Sequence, residues 1–365
     1  MEALYYLNDS IFTKAQLIDY SKEQLQRNDS ATWEKYLFSF IIQWFNETTT
    51  IKTTTSGSTG QPKEIKLLKS NMKISAAKTI DFFELAKGQR ALLCLPVRYI
   101  AGKMMVVRAF EAEMNLINIK PESTPDMSQI NAIDFAAMTP HQVKSLLTKE
   151  LSLTKIKKII IGGEAIGTEL GNQIKEIPIE AYETYGMTET MSHVALRKIT
   201  GNYPTPFKAL PGVQFSTDNR DCLHIEADFL PEPVQTNDIV ELISDTSFIF
   251  KGRNDFIINS GGIKLNPEKI EHEIRKTTGA DVILSSVSDE KIGDKAILVF
   301  SSKQSDEQLK IIQELLASDT KTSLIKNYMI IDDLPKTETG KTDRLALHKR
   351  LKKKKGTDKR FNLKN

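Results

Sequence analysis

Short β-prone runs at residues 91–95, 115–119, 134–138, 158–161 and 180–184 alternate with longer helix-compatible runs around 101–112, 140–149 and 167–175. This alternation restricts the fold more than any other feature of the chain. Strands separated by helices return to one sheet side by side, so the pattern predicts an α/β unit with a mostly parallel sheet. Upstream, Trp33, Tyr36, Leu37, Phe40, Ile41 and Trp44 recur at helical spacing and form one apolar stripe, read as core packing. From residue 201 to 258 the strands become closely spaced and are broken by turn residues such as Pro204, Pro211 and Pro231. This is the signature of a β-rich subdomain closing the large unit. Beyond Asp255 a compact α+β pattern follows. It comprises a helix opened by Pro267, strands near 281–286 and 295–301, a helix over 307–317, a strand at 328–331 and a last helix after Thr342. The predicted organisation is a large domain over 1–254, a small mobile C-terminal domain over 255–348 and a basic tail over 349–365, expected to be disordered.

A chain of 365 residues with 40% apolar and 27% charged residues can bury one large core and a smaller second one, which excludes fibrous and wholly disordered classes. No apolar run approaches the ~20 residues that span a bilayer, so stable membrane insertion is not expected. The start, Met-Glu-Ala-Leu-Tyr-Tyr, lacks the basic and apolar regions of a secretion signal, and the cytoplasm is the expected location. Cys94 and Cys222 are the two cysteines, and no Cys/His cluster at ligand spacing suggests a zinc site. The net charge of +3 hides an uneven distribution. Residues 349–365 hold nine Lys/Arg against Asp358, a net of +8, so the rest of the chain carries −5. That tail reads either as a polyanion contact or as a helix end running into solvent. With Phe361 its lone aromatic and no RNA-recognition signature before it, nucleic acid is not an expected partner.

The segment richest in chemistry is Thr53-Thr-Thr-Ser-Gly-Ser-Thr-Gly-Gln-Pro-Lys63. Its hydroxyls, glycines and terminal lysine suit a loop whose backbone N–H groups surround phosphate oxygens, with Thr54, Thr55, Ser56, Gly57, Ser58, Thr59, Gly60 and Lys63 as the candidate ligands. The spacing G-x-x-G-x-x-K is not that of a Walker A loop, and by composition alone the run also reads as a linker. Near the C-terminus Gly340-Lys341-Thr342 resembles the end of a Walker A loop, but Pro335 stands where the first glycine belongs. In Tyr182-Glu-Thr-Tyr-Gly-Met-Thr-Glu-Thr190, at a predicted strand end, Tyr185 offers a flat face to a base, Thr188 a hydroxyl to a phosphate and Glu189 a hard oxygen ligand for Mg²⁺. Thr236-Asn-Asp238 points a carboxylate at a sugar diol or simply turns the chain. Arg253 and Asp255 flank the predicted boundary, and Gly261 and Gly262 allow close backbone approach. Lys341 sits on a glycine-containing loop of the small domain.

Taken in order, these segments resemble the adenylate-forming superfamily of acyl-CoA synthetases, luciferases and peptide-synthetase adenylation domains. The order is a hydroxyl/Gly loop, Y-G-M-T-E-T, T-N-D, G-R-N-D followed by G-G, and P-K-T-x-x-G-K, and the resemblance spans about residues 50–345. Within that superfamily Leu95-Pro-Val-Arg-Tyr-Ile-Ala-Gly-Lys-Met-Met-Val-Val-Arg108 is similar to the corresponding region of o-succinylbenzoate–CoA ligases of menaquinone biosynthesis. There the usual L-P-L-x-H-x-x-G loses its histidine and gains an arginine six residues past the glycine. Met187-Thr-Glu-Thr-Met-Ser-His-Val-Ala195 points the same way. The chain is short beside that superfamily, with much of the N-terminal subdomain unrepresented.

The resemblance implies a small-molecule carboxylic acid, ATP and coenzyme A as partners, with Mg²⁺ as cofactor; no feature of the sequence specifies an oligomer. It implies that Lys341 bridges the carboxylate and the α-phosphate, that Glu189 holds Mg²⁺ with Thr188 beside it, and that residues 54–63 hold the β- and γ-phosphates. Asp238 and Arg253 would serve the ribose. Tyr185, followed by Gly186, and the turn Gly162-Gly163-Glu164-Ala165 would wall the adenine. Gly261 and Gly262 would serve the thioester step after the small domain rotates about Asp255 as hinge. Arg108 is the candidate partner of a second, aryl carboxylate, with Lys103 and His193 behind it, although Arg108 also reads as a rim arginine and His193 as structural. The alternatives are an acyl-CoA synthetase for another aryl or short-chain acid, transfer to a carrier protein, and a non-catalytic nucleotide binder.

Overall fold

The computed structural model describes residues 3–27, 29, 31–54, 64–149, 153–201, 203–289, 293–336, 342–353 and 359–360. The alternation forms strands Arg90–Leu93, Asn115–Asn118, Ile133–Met138, Ile156–Ile161 and Glu180–Gly186, separated by helices Ile100–Glu111, Pro140–Thr148 and Thr168–Lys175. These strands pair in parallel, with Arg90–Leu93 between Asn115–Asn118 and Ile133–Met138, then Ile156–Ile161, then Glu180–Gly186. Their near-continuous apolar sequences follow from cover on both faces. Phe135, Ala137 and Ile160 join one core layer, while Ala136, Met138, Ile159 and Ile161 join the other. Helix Pro140–Thr148 starts where it does because Thr139 and Gln142 form a reciprocal cap and Pro140 occupies the first turn.

The β-rich stretch is continuous with this sheet. His193–Lys198 pairs antiparallel with Glu180–Gly186, and Phe207–Ala209 then carries the ladder to Ser247–Arg253, extending a 13-stranded sheet. The apolar stripe upstream forms helix Thr32–Phe45, which buries Leu37, Phe38, Phe40, Ile41 and Trp44. Tyr36, expected in that stripe, is instead exposed, with the Arg98 guanidinium 5.9 Å from its ring centre.

Across the short helical turn Asn254–Phe256 the chain leaves the large sheet for a second one built from Ile258–Ser260, Ile263–Leu265, Val282–Asp289, Gly293–Phe300, Asn327–Ile330 and Lys359–Arg360. Helices Pro267–Thr278 and Asp306–Ala317 cover one face, where Leu284 and Leu298 are buried. Ile283 and Ile297 face helix Arg344–Lys353 on the other. The expectation of a disordered tail from residue 349 is corrected at two points. Residues 349–353 continue that helix, because Leu347 and Leu351 keep an apolar side buried against Ile283 and Met329. Lys359 and Arg360 pair with Tyr328 and Asn327 at the sheet edge. Tail residues 354–358 and 361–365 lie outside the described residues. No helix among the described residues is long and apolar enough to cross a membrane.

Candidate active site

The parallel strands end on one rim, where an α/β sheet offers its ligand crevice. Residues 162–166 leave Ile156–Ile161 in a turn with Gly162 N–H donating to Met138 O at 3.0 Å and with Gly163, Glu164 and Ala165 exposed. On the neighbouring strand, Tyr185 and Gly186 lead into a turn over 187–192. The Thr190 hydroxyl pins that turn from inside, accepting from Met187 N–H at 3.0 Å and donating to Ser192 O at 2.7 Å. Thr188 is left half-buried and Glu189 exposed. Among the described residues Glu189 has no ion-pair partner, and no group of three or more His, Cys, Asp or Glu could hold a metal by itself. A lone carboxylate of this kind fits Mg²⁺, which takes one or two protein oxygens and completes its shell with phosphate and water.

Tyr185 is buried, its ring edge-on to Phe248 at 4.9 Å, and its hydroxyl donates to Asp238 Oδ2 at 2.5 Å. Asp238 Oδ1 accepts from Arg253 Nη1 at 2.9 Å, and Arg253 also grips Asp255 through Nε and Nη2 at 3.0 and 2.9 Å. The strand register makes this chain possible, because Asp238 lies directly opposite Arg253. Burial raises the Asp238 carboxyl above its ordinary range, with the Tyr185 hydroxyl and Arg253 opposing it. Tyr185, Asp238, Arg253 and Asp255 are therefore brought together as one hydrogen-bonded series.

Helix Ile100–Glu111 carries two cations inside the protein. Arg108 is 2% exposed, so the rim reading does not hold. Its Nη2 donates to Ser192 Oγ at 2.5 Å and lies 3.4 Å from His193 Nδ1, while Nε has no acceptor among the described residues. Burial pulls this guanidinium down to about 9. The same burial, with Arg108 adjacent, holds His193 well below its usual range, so the ring is neutral. Its Nδ1 then accepts from Arg108 and its Nε2–H donates to Thr79 Oγ1 at 3.2 Å. Lys103, 6% exposed and drawn down to about 8 by burial, turns elsewhere: its Nζ donates to Arg98 O at 2.9 Å and approaches Thr53 Oγ1 at 3.5 Å. Arg108 and His193 are thus in contact, whereas Lys103 faces the strand that leads into the hydroxyl/Gly loop.

Thr54 and Glu64, on either side of that segment, pair across an antiparallel two-stranded sheet. The Lys341 loop is bracketed similarly by the Lys336–Thr342 bridge. Thr55, Ser56, Gly57, Ser58, Thr59, Gly60, Lys63 and Lys341 themselves lie outside the described residues. Gly261 and Gly262, with φ of 57° and 83°, form the tight turn between Ile258–Ser260 and Ile263–Leu265, a conformation that favours glycine.

Near the predicted hinge the two sheets meet through groups that motif reading passed over. Asn266 Nδ2 donates to Lys251 O at 3.0 Å. A Cβ on Gly252 would lie 2.7 Å from Glu268 Oε2, an atom without a hydrogen-bond partner among the described residues. Arg344 grips Glu271 through Nη1 and Nη2 at 2.8 and 2.6 Å, and Arg253 and Arg344 each lie over the Phe256 ring. Thr79, Thr190, Ser192, Phe256, Glu268 and Arg344 all touch the candidate site or its hinge. Ser192 and Thr190 stood inside a quoted motif, but a hydroxyl that binds backbone and one that binds ligand look alike in sequence.

A family model described as AMP-binding enzyme matches residues 45–217. The chain is 25% identical over 319 residues to the 2-succinylbenzoate–CoA ligase of Staphylococcus epidermidis, a match covering 80% of this chain and 67% of that relative. Among solved structures, an acyl-CoA synthetase (AMP-forming)/AMP-acid ligase II-like protein from Dyadobacter fermentans is 31% identical with a TM-score of 0.59, covering 93% of this chain and 98% of that one. The o-succinylbenzoate CoA synthetase of Bacillus subtilis in complex with its acyl-adenylate superposes with a TM-score of 0.77 over 99% of this chain and 97% of that one. At 15% identity it speaks for the fold.

Proposed function

Because the chain belongs to the AMP-binding enzyme family and is an AMP-forming acid–CoA ligase, we propose that its acid is o-succinylbenzoate, converted to o-succinylbenzoyl-CoA as a step of menaquinone biosynthesis. The observation that carries this reading is Arg108. A guanidinium shut away from water without a carboxylate partner among the described residues is costly, and the cost is recovered when an anion binds it. o-Succinylbenzoate has two carboxylates, of which the succinyl one is activated. The aryl carboxylate is the anion assigned to Arg108, with Ser192 and neutral His193 as neighbouring polar groups.

In the first half-reaction a carboxylate oxygen attacks the α-phosphorus of ATP and the bond to the bridging oxygen of the β-phosphate breaks, releasing pyrophosphate. In the second, the sulfur of coenzyme A attacks the acyl carbon, its proton is lost, and AMP leaves. Both join anions, so the first demand on the site is positive charge where the new bond forms. Lys341 is assigned to the carboxylate and α-phosphate oxygens, and residues 54–63 to the departing phosphates. When bound at Glu189, beside Thr188, Mg²⁺ would neutralise triphosphate charge. The Tyr185–Asp238–Arg253 series is assigned to the nucleoside, with residues 162–165 as the opposite wall. Gly261 and Gly262 are assigned to the thioester step, after rotation of the small domain about Asp255.

The test is incubation with ATP, Mg²⁺, coenzyme A and a panel of aryl and short-chain acids, followed by mass detection of the thioester. o-Succinylbenzoyl-CoA is the expected major product. Equal turnover of benzoate, which lacks the second carboxylate, would point to the broader acyl-CoA synthetase reading.

A further inference from the structure

We infer that Glu183 is a positioning residue for the nucleotide: it clamps the turn at 162–166 to the strand that carries Tyr185, and so sets the width of the slot between them. The inference rests on the assignment of that turn and Tyr185 to adenine, and goes beyond it by naming what holds the two walls at a fixed distance.

Glu183 and Tyr185 are two residues apart on Glu180–Gly186 and buried on the same side of it. The Glu183 carboxylate is 2% exposed and fully engaged. Oε1 accepts from Ile166 N–H at 3.0 Å. Oε2 accepts from Arg197 Nε at 2.7 Å and from the Tyr203 hydroxyl at 2.6 Å. The Tyr203 oxygen also lies 3.1 Å from Ile166 O. Arg197 is stacked over Phe207 at 4.3 Å and over Tyr203 at 5.0 Å, which fixes the cation. Ile166, the residue that closes the exposed Gly163–Glu164–Ala165 turn, is therefore tied through its N–H to the buried Glu183–Arg197 ion pair, with its carbonyl beside the Tyr203 hydroxyl. Behind the turn, a Cβ on Gly171 would lie 2.4 Å from the Tyr203 ring, so the ring packs directly against the Gly171 backbone. Neither Glu183 nor Arg197 need touch a ligand. A carboxylate this thoroughly paired is placed to hold geometry, and a turn pinned through it does not have to be ordered by the substrate.

The decisive variant is Glu183→Gln. It keeps one acceptor oxygen but turns an amide NH₂ toward the donors of Arg197, Tyr203 or Ile166. Tyr203→Phe removes one hydroxyl and is the milder companion. With the best acid of the panel, E183Q is expected to raise KM for ATP about tenfold and Y203F about threefold, with KM for the acid within about twofold of wild type. The preference for ATP over GTP should fall by the same factors. A KM for ATP unchanged in both variants, or a parallel rise in the KM values of ATP and acid, overturns the positioning role. If E183Q does not fold, Y203F decides by the same criteria. A wild-type enzyme that does not discriminate ATP from GTP at all would instead overturn the adenine assignment on which the inference stands.

Discussion

Buried positive charge is handled in opposite ways at two places in this molecule. Along the seam between the sheets each arginine is matched: Arg253 by Asp238 and Asp255, Arg344 by Glu271 in a two-pronged contact. On helix Ile100–Glu111, Lys103 and Arg108 are buried among apolar neighbours with only neutral acceptors among the described residues, and both are pulled down by burial. The Arg253 and Arg344 guanidiniums, although partly buried too, are held above their ordinary value, because their carboxylates outweigh desolvation. The contrast separates cations already neutralised within the fold from cations left open to a ligand anion. A matched pair spends its charge inside the fold, whereas an unmatched cation keeps an electrostatic debt that a ligand anion can settle.

Breaking a matched pair should have the largest effect. Arg344→Met strands Glu271, whose Oε1 also accepts from Leu284 N–H at 2.7 Å, and is expected to lower stability by about 3 kcal/mol in denaturant titration. Arg108→Met should do the reverse for the apo protein, leaving its urea midpoint equal or higher, while kcat/KM for o-succinylbenzoate falls about 100-fold. A midpoint lowered as far as that of Arg344→Met would erase the distinction.

Lys103 sharpens the same comparison through pH. Its folded-state value, about 8, is below the 10.5 of the free side chain. Between these values the unfolded chain binds the extra proton, so the penalty is fully present below about pH 8 and disappears toward pH 10.5. Lys103→Met is therefore expected to be more stable than wild type by about 2 kcal/mol at pH 7, with the advantage shrinking as pH rises. A pH-independent difference would show that its charge is already matched.

Glu268 gives the smallest effect. Burial, then Glu271 and Asp238, push its carboxyl up to about 7, against Arg344 and the backbone of Arg253. The folded state then keeps a proton that the unfolded chain releases, so wild type loses stability as pH climbs from about 4.5 to 7. Glu268→Gln should match wild type near pH 4 and exceed it by about 1 kcal/mol at pH 8, read from thermal melts at the two pH values.

Much of the fold could be read from local patterns. The strands at 133–138 and 156–161 announce themselves by short apolar runs, and helices Pro140–Thr148 and Pro267–Thr278 by capping residues and an initial proline. Tyr36 falls outside the core because an ideal 3.6-residue stripe does not say how far around a helix the core extends. The charge of the tail outweighs, in sequence, two leucines four residues apart, Leu347 and Leu351, whose burial accompanies the helix that runs into its first residues.

The candidate site divides along the same line. Spacing and residue chemistry picked out Tyr185, Asp238 and Arg253, and the family resemblance added Arg108. None of these can tell an arginine at a rim from one sealed against Ser192, 84 positions away, because burial depends on which distant segments meet. Lys103 and Arg108 look equivalent on paper, yet five positions on a helix turn them toward different partners. Periodicity, capping and motif order are properties of neighbouring residues, so the chain alone settled its α/β character and the type of chemistry it carries. Which charges are neutralised, which await an anion and which carboxylate clamps a turn emerged only with the packing, since those energies arise between groups brought together from far apart in the chain.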